Sequence, residues 1–228
     1  MARVPSAMAS SIARKNLMAL TGLLLCCFLL VHVLGNLPLL LPGAQGQEAF
    51  NQYAELLSGL AVVKIAGIVT LSGMVIHALL ALALTWRARG SSNGAVVKSP
   101  SRPTSTWSSR FAWATGLTLA VFLVVHLWNF WWPYKFGGDS VPNDVWGRRD
   151  LYGLVQSTLS NPVYAAFYGL SMLALAAHLR HGVVSALRSL GLHPPGLTRA
   201  ANVAGSIFTA FVACAFIAMI VMVFLTQR

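Results

Sequence analysis

Apolar residues in this chain are gathered into long runs, not spread at the spacing of a surface helix or a half-buried strand. Five runs, approximately residues 16–39, 64–86, 111–132, 162–187 and 201–226, contain few charges. Each reaches the roughly 20 helical residues needed to cross a hydrocarbon layer of about 30 Å. In lipid every backbone polar group must be paired within its own segment, so these runs are predicted to be helices. The expected fold is an all-α integral membrane protein, a single domain over residues 1–228 with five transmembrane helices. The connection at 87–110 contains a stretch from Gly90 to Thr106 rich in Ser, Gly and Pro, which reads as a flexible linker. Pro133 with Trp128, Trp131 and Trp132 marks a membrane interface, where indole rings prefer to sit. A short interfacial helix is expected at Glu48–Gly59.

Composition agrees. The chain is 57% hydrophobic and 9% charged, against roughly a quarter charged in a soluble domain. The five carboxylates are too few to cover a globular surface. The net charge of +11 is therefore read as topology anchors and head-group contacts, not as a nucleic-acid footprint. Basic residues without acids flank the first run (Arg3, Arg14, Lys15), the 87–110 connection (Arg87, Arg89, Lys98, Arg102, Arg110) and the last turn (Arg188, Arg199). The other two connections hold all five acids: Glu48, Glu55, Asp139, Asp144 and Asp150. The positive-inside rule then places the N-terminus in the cytoplasm and the C-terminus outside, in a multi-pass inner (cytoplasmic) membrane protein. The first run is too long for a signal core and meets no small-residue cleavage site, so it is read as a span. Cys26, Cys27 and Cys214 lie in apolar runs and read as packing residues.

His32, His77, His126 and His178 fall one to a helix in the first four helices. Ionisable residues inside a membrane are costly and point to function. Counted from the basic anchors at about 1.5 Å per residue, His32 and His126 lie roughly 25 Å, and His77 and His178 roughly 15 Å, from the cytoplasmic side. The depths predict an outer pair, His32 with His126, and an inner pair, His77 with His178, suited to two stacked haems with bis-histidine iron. Such iron has no open position and suits electron transfer. Zinc and di-metal sites recruit carboxylates or thiolates as well, and no span holds a well-placed acid. The bundle is thus expected to bind haem. His181, three residues beyond His178, shares its face and stays an alternative fourth ligand, although the match in depth favours His178. His193, beside Pro194, reads as a loop residue.

A short repeat supports the outer pairing. The twelve residues from Thr21-Gly22-Leu23 to Val31-His32 recur from Thr115-Gly116-Leu117 to Val125-His126 with eight identities. Gly22 and Gly116 would let a macrocycle or another helix approach closely, and ordinary helix packing is the simpler alternative. Gly73 and Gly169 are weaker candidates of the same kind.

At these histidines the chain resembles the cytochrome b membrane-anchor subunits of succinate dehydrogenases and fumarate reductases, in the single-subunit, five-helix, dihaem form. The resemblance covers nearly the whole chain. It is carried by Ser10-Ser11 and Arg14-Lys15 leading into Met18-Ala19-Leu20-Thr21-Gly22, by His32 before Gly35-Asn36-Leu37, and by Phe50-Asn51 with Tyr53-Ala54. His126 before Phe130-Trp131, and His178-Leu179 with His181-Gly182 and Ser185, complete it. The resemblance implies two haem b groups and a quinone, with menaquinone favoured. It also implies an FAD flavoprotein and an iron–sulfur subunit on the cytoplasmic side, and leaves higher oligomers open. Members differ in whether the fourth ligand lies immediately before the glycine, which selects His181, or four residues before it, which selects His178. A transmembrane glutamate used by some dihaem relatives is missing.

Haem propionates would seek basic partners, and Arg14, Lys15, Arg180 and His181 are the candidates at the inner haem. Trp128, Tyr134 and Lys135 are weaker ones at the outer face. Ser11, Arg14 and Trp86 are the candidates for a quinone site. A dihaem anchor of another respiratory complex and a non-haem helical membrane protein are the rival readings.

Overall fold

The structure, a computed structural model, describes residues 11–91, 111–192, 196 and 198–226, without the side chains of Ser11 and residues 87–91. Arg3, Ser10, Lys98, Arg102, Arg110 and His193 lie outside the described residues, as do the side chains of Ser11, Arg87 and Arg89.

The helices are α1 (Ser11–Asn36), α2 (Gly43–Gly59), α3 (Ala61–Ser91), α4 (Ala112–His126), α5 (Trp132–Phe136), α6 (Leu151–Leu159), α7 (Pro162–Ser189) and α8 (Thr198–Thr226). Among the described residues five segments are long and apolar enough to cross a bilayer: Ile12–Leu40, Ala61–Trp86, Ala112–Phe136, Pro162–Ser189 and Thr198–Thr226. The chain is an all-α, multi-pass membrane protein. Their apolar surface is left largely outward, as in Val62, Ile65, Ile68 and Leu79 of α3, all more than half exposed. A bilayer is the medium that suits such a surface.

The termini of the spans follow local chemistry. Asn161 caps α7 by accepting from the Val163 N–H at 2.9 Å, with Pro162 at the first turn, where its missing N–H costs nothing. The third span runs past the expected end at residue 132, through Pro133 to Phe136. A π-helical turn at Leu127–Trp131 joins α4 to α5 and accommodates the proline, which would otherwise break the ladder.

Packing defines a ring. α1 packs on α3 and α7, α4 packs on α7, and α3 meets α4 more lightly. These four helices run up, down, up and down in chain order, so α1 and α4 are parallel and diagonal, as are α3 and α7. α8 packs outside the ring against α7 and α1. Val33, Tyr168, Met172, Leu175, Val212 and Met219 fill the contact around α7 and α8. We call the end where α1 begins the near side and the opposite end the far side.

The far side is capped by α2 and α6 packed on each other. The interfacial helix expected at Glu48–Gly59 exists and begins earlier, at Gly43. It carries Asn51, which is 1% exposed and is the hub of this cap. Asn51 Nδ2 donates to Asp144 Oδ2 at 3.1 Å and to Asp150 Oδ1 at 2.9 Å, and its Oδ1 accepts from the Tyr152 N–H at 2.9 Å. Gln47 donates to Asp150 and Arg148 pairs with Asp144 at 3.0 Å. Burial alone would raise the Asp144 carboxyl. Hydrogen bonds from the Arg148 backbone, the Asn51 and Arg148 side chains and the Trp146 N–H outweigh it and hold the group below the usual carboxylate range.

A carboxylate with a depressed pKa stabilises the fold above its unfolded value and loses that contribution as pH falls through the folded one. Acidification below about pH 4 should therefore loosen the far-side cap, seen as lost hydrogen-exchange protection at Trp146 and Arg148. Asn51→Ala should cost about 3 kcal/mol by removing three bonds to buried or charged partners. Unchanged exchange in both cases would refute the hub role.

Candidate functional site

The four intramembrane histidines project into the ring. His32 on α1 and His126 on α4 face each other with ring centroids 5.9 Å apart. His77 on α3 and His178 on α7 do so at 6.4 Å. Each pair therefore bridges one diagonal, and along neither diagonal do the helix backbones pack closely among the described residues. What meets across each gap is imidazole on imidazole.

The register is fixed by glycines. A Cβ added at Gly22 would stand 3.3 Å from His77 Cε1, and one at Gly116 would stand 3.6 Å from His178 Cε1. Each glycine thus faces the imidazole of the next ring helix, not the histidine ten residues along its own helix. The pair His77–His178 lies on the near side, about 15 Å below His32 and His126, from ten residues at about 1.5 Å each. Counting from basic anchors predicts only about 10 Å. The discrepancy arises because Lys15 is seven residues below Gly22 while Arg87 is ten beyond His77, so these anchors do not share a depth.

The near pair is held by hydroxyls. Thr21 Oγ1 lies 3.1 Å from His77 Nδ1, and Thr115 Oγ1 lies 3.3 Å from His178 Nδ1. The far pair is held by aromatic rings. Phe28 stacks on His32 at 5.2 Å and 18°, and Phe122 lies 5.4 Å from His126 at 30°. Phe216, Phe130 and Tyr168 close the far pair from α8, the π turn and α7, at 5.7, 5.2 and 6.1 Å. The Tyr168 hydroxyl accepts from Asn129 Nδ2 at 3.2 Å. Thr, Gly, Phe and His occupy matching positions in the two repeat copies. The repeat therefore contained the signal for Thr21, Thr115, Phe28 and Phe122, none of which stands out by residue type. Nothing in the sequence marked Tyr168 or Phe216.

His178, not His181, faces His77. His181 sits one turn nearer the end of α7, within electrostatic reach of Arg188. At the near side lie Arg14, half-buried, and Lys15, exposed, in the first turn of α1, with Arg180 exposed on α7 and Trp86 exposed toward the end of α3. At the far side, the Tyr134 carbonyl accepts from the Arg149 guanidinium, which also lies over the Tyr134 ring at 5.8 Å. Trp128 stacks on Trp132 at 5.9 Å.

The donor set selects among metals. Among the described residues no three His, Cys, Asp or Glu side chains converge on one point. Two imidazoles are too few for a zinc ion, which takes three or four protein ligands. They suffice for an iron whose other four positions a porphyrin fills. Two facing imidazoles on each diagonal, with no carboxylate or thiolate beside them among the described residues, are a donor set that fits haem.

The chain matches no protein-family model, no curated protein and no solved structure.

The glycine contacts give a stability contrast. Gly22→Val should push the His77 ring aside and lower the unfolding temperature in detergent. Gly169→Ala, with nothing within 4 Å of the added Cβ, should be neutral or stabilising by up to about 1 kcal/mol. Equal effects would show that Gly22 is not a contact site.

Proposed function

We propose that the chain is the dihaem cytochrome b anchor of a succinate:quinone oxidoreductase, working as an electron conduit between an iron–sulfur subunit and a membrane quinone. The observation that carries the haem reading is the pair of facing imidazoles on each diagonal of one four-helix ring. The succinate reading is supported by the motifs around those histidines, from Arg14-Lys15 to His181-Gly182.

When bound, two b-type haems would supply one-electron oxidation and reduction at two depths of the bilayer. The chain's residues have separate tasks in this account. His32 with His126, and His77 with His178, would hold the two haem irons. Gly22 and Gly116 leave room beside the near-pair rings. Phe28, Phe122, Phe216 and Tyr168 exclude water from the far pair, which keeps its imidazoles in an apolar setting. Arg14, Lys15, Arg180 and His181 supply positive charge and donors for propionates at the near side. Ser11, Arg14 and Trp86 lie at the same end and would border the quinone. The positive-inside rule makes the near side cytoplasmic, where flavoprotein and iron–sulfur partners would dock. All five acids of the chain fall outside the five spans, so no span carries a carboxylate for proton transfer.

The test is spectroscopic. The purified chain should show a dithionite-reduced α band and two haems per chain. His32→Ala and His77→Ala should each remove one. His178→Ala should remove the second ligand of the near haem, and His181→Ala should spare both. Lack of an α band would overturn the haem reading. Reduction of the haems by formate but not succinate, in the assembled complex, would assign the anchor to another respiratory enzyme.

A further inference from the structure

We infer that Thr21 and Thr115 are positioning residues that fix the tautomer and raise the electron donation of the near-pair histidines, so that the two pairs are electronically unequal. This rests on the haem reading above. A threonine hydroxyl has one proton to give and lone pairs with which to accept. Thr21 Oγ1 lies 2.9 Å from the Leu17 carbonyl and 3.0 Å from the Met18 carbonyl. Thr115 Oγ1 lies 3.2 and 3.1 Å from the carbonyls of Phe111 and Ala112. The hydroxyl protons are thus directed at their own helices, and what each oxygen turns toward the imidazole is a lone pair. Nδ1 of His77 and of His178 must then carry the proton and donate it.

Two consequences follow. The proton on Nδ1 leaves Nε2 as the ligating nitrogen and locks the ring about its bond to Cβ. Donating this hydrogen bond would also make each imidazole a more basic ligand, which would favour the oxidised metal and lower its potential relative to the same site without the bond. The far pair has no such support. His126 Nδ1 is buried with no hydrogen-bond partner among the described residues. His32 Nδ1 is 3.5 Å from Asn36 Nδ2, a nitrogen whose shorter bond, 2.7 Å, goes to the His32 carbonyl. The repeat therefore serves two purposes. Its Thr-Gly end receives a near-pair histidine from the adjacent helix, and its Phe–His end supplies half of the far pair.

Redox titration of the purified full chain tests this, using Thr21→Val, Thr115→Val, the double variant and the Thr21→Ser rescue. The near-haem potential is identified as the one lost in His77→Ala. It should rise in each valine variant by up to a tenfold change in the reduction equilibrium, about 59 mV for a one-electron couple. The double variant should add the two shifts, because the threonines act on opposite ligands, and Thr21→Ser should return toward wild type. The far-haem potential should not move, nor should either potential in Thr118→Val, whose hydroxyl bonds Ala114 on an exposed face. Loss of the near haem in Thr21→Val with recovery in Thr21→Ser would support the same assignment. Both haems retained with an unshifted near potential in the double variant would overturn it, as would loss of haem in valine and serine variants alike. A wild-type chain without haem would instead overturn the reading on which the inference rests.

Discussion

An imidazole inside a hydrocarbon layer keeps two polar nitrogens that no lipid can satisfy, and this bundle turns all four of its intramembrane histidines toward one another in pairs. Each intramembrane histidine is turned inward across a diagonal of the ring, away from lipid. On the near side a threonine of the neighbouring helix meets Nδ1. On the far side aromatic rings surround the imidazoles, and His126 Nδ1 has no hydrogen-bond partner among the described residues. A bundle built only for packing would have filled these diagonals with apolar side chains, at no cost in unpaired polar groups. Opposed imidazoles on both diagonals are the arrangement that the proposed haems would use.

Symmetry makes the requirement easy to meet. An up-down-up-down ring puts α1 parallel to α4 and α3 parallel to α7, so one repeated segment, placed on α1 and α4, generates equivalent positions at equal depth. Thr21 and Thr115 sit at one level and His32 and His126 at another. The remaining two histidines need only sit on the antiparallel neighbours at the threonine level, as His77 and His178 do. α8 lies outside this symmetry and supplies Phe216 to one side only, where it breaks the equivalence of His32 and His126.

Much of this was legible from the order of residues. Runs of apolar residues with almost no charge can only be spanning helices, and the four histidines sorted into the pairs that face each other. Distances along single helices carry that information because the rise per residue is constant. What a single helix cannot report is its neighbour. The glycines facing rings on adjacent helices and the threonine contacts depend on register between helices, whereas His178 was already favoured over His181 by its depth. The Asn51 hub was hidden for a similar reason, since its partners lie about a hundred positions away in sequence. The passage through Pro133 was missed because a π turn preserves a helix where an α ladder would end.

Anomalous diffraction at the iron absorption edge, from crystals of the purified chain in lipid or detergent, is the most direct measurement. Two anomalous peaks are expected about 15 Å apart along the bundle axis, one between His32 and His126 and one between His77 and His178. A peak at His181 in place of His178, a single peak, or none would contradict that arrangement.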